Sequence, residues 1–152
     1  MVAAGNMYLD TGILVKLLTP EPESAFFERG LRGHSLVTSE LALVEVKSAL
    51  FAKERAGALA PVHRQRAEAK FAEMIEEGIL ELRALNLPVL RKATQTIQAC
   101  HSEVALRSLD ALHVATCDLE QEFPLCTTDS RMHAASRAMH VPVFPETLPI
   151  KI

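Results

Sequence analysis

Short apolar runs alternate with amphipathic stretches along the whole chain, punctuated by proline, glycine and small polar residues. Met7-Tyr8-Leu9 reads as a first strand ending at Asp10, and Thr11 to Leu18 as a helix. Thr19-Pro20-Glu21-Pro22 stops that helix, because proline lacks the N–H that continues the ladder. Glu23 to Leu31 predicts a second short helix closed by Arg32-Gly33, and Ser35 to Thr38 the next strand. Ser39 is placed to cap a long helix that runs to Arg55 and ends at Gly57. Pro61 opens another helix, through Glu77, with Gly78 at its C-terminal end.

Ile79 to Leu82 predicts a brief strand, and Leu87-Pro88 leads a helix to Cys100. Ser108 to Glu120 is strongly helical, Leu125 to Thr127 a strand, Ser130 to Met139 a helix, and Val141 to Phe144 a final strand. Strands alternating with helices on short links imply an α/β domain, its parallel sheet covered on both faces. Helices outnumber strands, which predicts a helical arm projecting between the second and third strands.

The 152 residues fit one domain, 1–152, with a substantial core. No apolar run approaches the ~20 residues that span a bilayer, so no membrane association is expected. The N-terminal MVAAGNMYLD lacks the basic and apolar regions of a signal peptide, so the expected location is cytoplasmic. Cys100, Cys117 and Cys126 form no CxxC and read as reduced core thiols, with neither a disulfide framework nor a zinc knuckle.

A net charge of −3 argues against a surface that grips nucleic acid all over. A polyanionic substrate would need a local basic strip or a metal among acids. Lys47, Lys53, Arg55, Arg64, Arg66 and Lys70 bring basic charge to the helical arm, either as a solvated helix surface or as a phosphate-contacting rim.

The acids hold the chemistry. Asp10, Glu45, Asp110 and Asp129 each fall where a strand hands over to a helix, or within the first two turns of a helix. In a parallel sheet all strand C-termini share one edge, and ligand sites form there. Asp10 and Asp129 also read as N-caps, and Asp110 as a first-turn acid facing the helix dipole. Glu45 resists such an account: its neighbours at i±3 and i±4 are Leu41, Ala42, Ser48 and Ala49, which turn it toward the protein without a basic partner.

Together the four fit a hard-cation site for Mg2+ or Mn2+, with metal-assisted hydrolysis as its chemistry. No GxxxxGK[ST] or GxGxxG is present, and no Ser or Cys nucleophile with a matching His motif. His113 and Cys117, four apart in an apolar segment, read as a packed histidine and thiol rather than zinc ligands. His133 and His140 read as structural or solvated.

The segments LDTGILVKLLTPEPES, VTSELALVEVKSAL, LRSLDALHVATC and CTTDSRMHAASRAMHVPV, in that order and spacing, resemble a PIN domain. The likeness is greatest to VapC-type toxin ribonucleases, and it covers Met7 to Val143. The resemblance implies a three-layer α/β/α fold, Mg2+ or Mn2+ dependence and endonucleolytic cleavage of RNA. It assigns Asp10, Glu45, Asp110 and Asp129 as the metal-binding, catalytic acids, and Thr127 as a polar position near the metal.

It further implies a homodimer and, for toxins, a small antitoxin whose C-terminal segment occupies the active-site groove. Gly12 departs from the Ser or Ala common in relatives, which removes a hydroxyl that could support Asp10. Two further readings remain: a non-catalytic PIN-like module binding RNA or protein, and, more remotely, a metal-dependent phosphatase-like enzyme acting on small molecules.

Overall fold

The structure is a computed structural model, and it describes residues 5–152. Residues 1–4, on which the signal-peptide reading partly rests, lie outside the described residues. The strands β1 (Asn6–Leu9), β2 (Ser35–Ser39), β3 (Leu80–Arg83), β4 (Leu125–Cys126) and β5 (Val143–Phe144) form one sheet in the order β3-β2-β1-β4-β5. Every pairing is parallel.

Helices α1 (Thr11–Leu18), α2 (Ser24–Leu31), α3 (Ala42–Arg55) and α4 (Pro61–Glu76) fill the first half of the chain. α5 (Leu87–Cys100), α6 (Ser108–Glu120) and α7 (Ser130–Ala138) fill the second. Side chains alternate across a strand, so each strand feeds two cores. Met7, Leu9 and Leu36 pack with Ile13, Phe27, Val46 and Phe71 on one face of the sheet. Tyr8, Val37 and Leu125 pack with Val114, Cys117 and Met132 on the other. The fold is therefore the three-layer α/β/α arrangement.

The element boundaries differ from the sequence reading where sheet pairing competes with capping. Ser39 stays in β2, paired with Arg83, and the Glu40 N–H donates to the Arg83 carbonyl at 2.9 Å. Its hydroxyl instead accepts from the Leu41 N–H at 3.1 Å, and α3 begins at Ala42 without a side-chain cap. Glu45 consequently falls in the first turn of α3, not the second. β5 is shorter than expected, because Pro142 has no N–H for a ladder; its carbonyl still accepts from the Leu125 N–H at 2.9 Å.

The helical arm is α3 and α4, which fold back along α1. Three of its six cations pair with acids. Lys47 pairs with Glu68 at 2.7 Å, Lys53 with Glu21 at 3.3 Å, and Arg64 with both Glu54 and Glu68. Lys70 Nζ donates to the Leu17 carbonyl at 3.0 Å. Arg55 and Arg66 are exposed. Ion pairs thus engage Lys47, Lys53 and Arg64, while Arg55 and Arg66 have no acid partner among the described residues. All three cysteines are buried and unbridged. Among the described residues no helix is long and apolar enough to cross a membrane.

Gly30 marks where α2 meets the far strand. A Cβ there would stand 2.7 Å from Cζ of Phe144, whose ring stacks on Phe26 and meets Phe27 edge-on. A helix-interior Gly→Ala change ordinarily stabilises by up to about 1 kcal/mol. Here the aromatic cluster must shift, so Gly30→Ala is expected to destabilise the protein by about 1–3 kcal/mol in urea unfolding. A gain in stability would show that the cluster yields freely.

Candidate active site

The chain lays down β1, β2 and β3 in one direction, then returns through α5 and α6 to start β4 on the opposite side of β1. The strand order reverses between β1 and β4, and such a switch point opens a crevice at the strand C-termini. Asp10 and Asp129 stand on its two sides.

Asp10 is the N-cap of α1, with Oδ1 accepting from the Ile13 N–H at 2.9 Å. Its Oδ2 accepts from the Thr127 hydroxyl at 2.5 Å, and the residue is 2% exposed. Asp129 is the N-cap of α7, with Oδ1 accepting from the Arg131 and Met132 N–H groups at 2.9 Å each. Thr127 joins the two acids: its hydroxyl also accepts from the Asp129 N–H at 3.0 Å. Thr127 is fully buried and bridges behind the site, whereas Thr128 lines the cavity.

Glu45 is half-buried and turned inward. Its Oε1 accepts from the Thr11 hydroxyl at 2.8 Å and from His113 Nε2 at 2.5 Å. His113 is itself buried in α6, and its Nδ1 lies 2.8 Å from the Tyr8 hydroxyl. A buried tyrosine and histidine thus reach from the core to a carboxylate at the cavity wall. Asp110, in the first turn of α6, accepts from Arg107 Nε at 3.1 Å through Oδ2. Cys117 points elsewhere, toward the Glu122 carbonyl at 3.3 Å, so it makes no zinc pair with His113.

Asp10, Glu45, Asp110 and Asp129 line one cavity of about 390 Å³, with Thr11, Gly12, Arg107, His113, Thr128 and Met132. They ring it rather than converge: among the described residues, no three His, Cys, Asp or Glu side chains cluster tightly enough to ligate one ion directly. Mg2+ suits that spacing, because it keeps several waters and takes only one or two carboxylates directly. The donor set is all oxygen, as hard cations prefer. Asp110 Oδ1, Asp129 Oδ2 and Glu45 Oε2 have no hydrogen-bond partner among the described residues, and none is sealed from solvent. The residues present fit a hydrated divalent ion. A Cβ on Gly12 would rest 3.4 Å from Asp10 Oδ1, an ordinary contact, so glycine is not sterically required there.

Electrostatics separate the acids. Burial pushes the Asp10 carboxyl up, against the bonds from Thr127 and Ile13 that favour its charged form. Burial also acts upward on Glu45, but the bond and charge of His113 and the Thr11 hydroxyl outweigh it and hold that carboxyl below its usual range.

Sequence reasoning missed the work of Thr11, Tyr8, His113 and Arg107. The signals were present: His113 follows Asp110 by one helical turn, Arg107 precedes it by three residues, and Tyr8 is the single tyrosine. The neighbour across the site could not be read from spacing along one segment.

The family model for the PIN domain matches residues 7–138, from β1 to the end of α7. The chain belongs to the PIN domain family. Its relatives include Ribonuclease VapC46 of Mycobacterium tuberculosis, 33% identical over 148 residues, which covers 91% of this chain and 95% of that protein. Among solved structures, the sarcin-ricin-loop-cleaving toxin VapC20 of Mycobacterium tuberculosis superposes with a TM-score of 0.66 at 17% identity, covering 85% of this chain and 94% of that one. A toxin-antitoxin complex from Klebsiella pneumoniae gives 0.61 at 18% identity, covering 96% and 99%. At those identities the structures speak for the fold.

An acid whose folded-state pKa is raised holds its charge at a cost, so stability falls as pH climbs from 3.8 through the raised value. Glu45 has the reverse sign, contributing stability above 4.5 that is lost on acidification. In metal-free buffer Asp10→Asn should therefore be more stable than wild type at neutral pH, the gap closing as pH falls toward 3.8. Urea midpoints measured with a chelator across pH check this, and a neutral-pH loss would contradict it.

Proposed function

We propose that this PIN domain is a metal-dependent endoribonuclease that hydrolyses RNA phosphodiester bonds, and the toxin of a VapBC-type toxin–antitoxin pair. The observation that supports it most is the gathering of Asp10, Glu45, Asp110 and Asp129 around one cavity, three of them with an uncommitted oxygen. These four would hold Mg2+ or Mn2+, with Thr127 fixing Asp10 from behind. When bound, such an ion supplies a water of lowered pKa and positive charge against the phosphate.

The chain's own groups prepare that chemistry. Asp10 is locked in one rotamer by Ile13 and Thr127, so its orientation does not depend on the ligand. Glu45 is held ionised by His113 and Thr11, ready as an acceptor at neutral pH. Asp129 keeps one oxygen for its helix cap and offers the other to the cavity. This is the supporting shell that such ligands need.

A cytoplasmic homodimer bound by a small antitoxin completes the reading. A second cavity of about 390 Å³ lies between α3 and α4, lined by Leu43, Val46, Leu50, Phe71 and Ile75. Leu43 in its lining is 47% exposed, as expected of a surface that receives an apolar protein segment. On α5, exposed Leu87, Leu90 and Ile97 offer apolar surface for a second copy.

Asp10→Asn and Asp110→Asn are each expected to abolish Mg2+- or Mn2+-dependent cleavage of RNA while leaving circular dichroism unchanged. Undiminished cleavage by either purified variant refutes the assignment. RNA binding without turnover by the wild type would return the binding-module reading. Millimolar Mn2+ should raise the wild-type melting temperature by mass action, an effect that Asp129→Asn reduces; no shift would count against a metal site.

A further inference from the structure

Arg107 is a poor choice for the place it occupies. It is the N-cap of α6, with extended backbone and no side-chain cap bond, where Ser, Thr, Asp or Asn would satisfy a free N–H. A cation at a helix N-terminus also meets the positive end of the dipole. Its ion pair with Asp110 offers little in return, since the Arg107 side chain is 66% exposed and screened by water. Local stability does not account for an arginine here, and such a mismatch points to a function.

What the position does provide is charge at the cavity. Arg107 is the one residue with a fixed positive charge among those lining it. The arm's Lys47, Lys53 and Arg64 are matched to acids, and Arg83 is taken by Glu81 and Glu122. Arg107 contacts Asp110 through Nε alone, which leaves both Nη groups without a partner among the described residues. A guanidinium presents paired donors in a planar fork that matches two phosphate oxygens.

We propose that Arg107 is the phosphate-contacting cation of the acid cavity, seating an RNA phosphate beside Asp110. This rests on the ribonuclease reading above. The side chain pivots on its exposed stem: Nε stays with Asp110 while the Nη edge takes the phosphate, so the acid that helps hold the metal also orients the group that holds the substrate. In a chain of net charge −3, this guanidinium offsets part of the repulsion between the acids and the RNA backbone.

The test compares Arg107→Gln and Arg107→Lys with their parents, using a short unstructured RNA oligonucleotide. Affinity is read by fluorescence anisotropy in the Asp10→Asn background in Mg2+ buffer, and KM in the cleaving background. Arg107→Gln should weaken RNA binding and raise KM roughly tenfold at low salt, and lessen the slope of log K against log salt by about 0.7, one single-strand phosphate contact. Arg107→Lys should restore the slope, since the charge returns, but only part of the affinity, since the fork does not. Mn2+ affinity by calorimetry should stay equal or tighten, because a competing cation has left Asp110.

A wild type that cleaves while Arg107→Gln keeps both KM and salt slope overturns this inference alone. So does a fall in Mn2+ affinity or melting temperature that matches the loss in KM, which would mark a structural role. A wild type that neither binds nor cuts the oligonucleotide overturns the ribonuclease reading, and this inference with it.

Discussion

Holding several carboxylates around one cavity is the constraint that organises this molecule. Like charges that share a cavity repel, the more so where water is excluded between them. The fold answers with backbone dipoles at all four acids, and with Arg107 beside Asp110 and His113 beside Glu45. Asp10 caps α1, Asp129 caps α7, and Asp110 and Glu45 stand in the first turns of α6 and α3. Each helix start carries the equivalent of about half a positive charge. Four such starts flank one crevice and favour the charged acids, although at Asp10 burial outweighs that help.

Glu122 shows what the alternative looks like. It is also buried, yet both of its oxygens are occupied: Arg83 donates to Oε1 at 2.6 Å and Asn6 to Oε2. Paired with a guanidinium and an amide, this acid fixes structure at the edge of β1 and β3. Three of the four cavity acids are arranged otherwise, with one oxygen anchored by N–H, hydroxyl or imidazole and the other left open.

The sequence carried most of the fold because its punctuation is strong. The bounds of Thr11–Leu18 and Ser108–Glu120 match the structure: Asp10 caps the first, which Pro20 and Pro22 close, and a polar loop ends the second. The start of α3 was misplaced because Ser39 satisfies two rules at once, and the ladder contact with Arg83 outweighed its value as a cap. The acids could be nominated from their positions after strands, which the parallel topology converts into proximity. The Tyr8–His113–Glu45 chain could not, because its members belong to β1, α6 and α3 and meet only across the sheet. Reading His113 as a packed residue was right about its burial and silent about its partner.

Asp129 shows that capping a helix and offering an oxygen to the cavity are compatible, whereas both oxygens of Asp10 are committed, to Ile13 and to Thr127. A cap uses a single carboxylate oxygen, fixes the side-chain rotamer, and leaves the second oxygen aimed away from the helix. At the switch point of a parallel sheet that direction is the crevice. The helix start therefore sets the geometry of the acid, and the strand before it sets its position. Thr127 ties the two capped acids to each other through one hydroxyl, so a displacement at β4 would carry both. A site built this way is rigid before any ligand arrives. Its exposed group is Arg107, set on the rim where a substrate of opposite charge would first make contact.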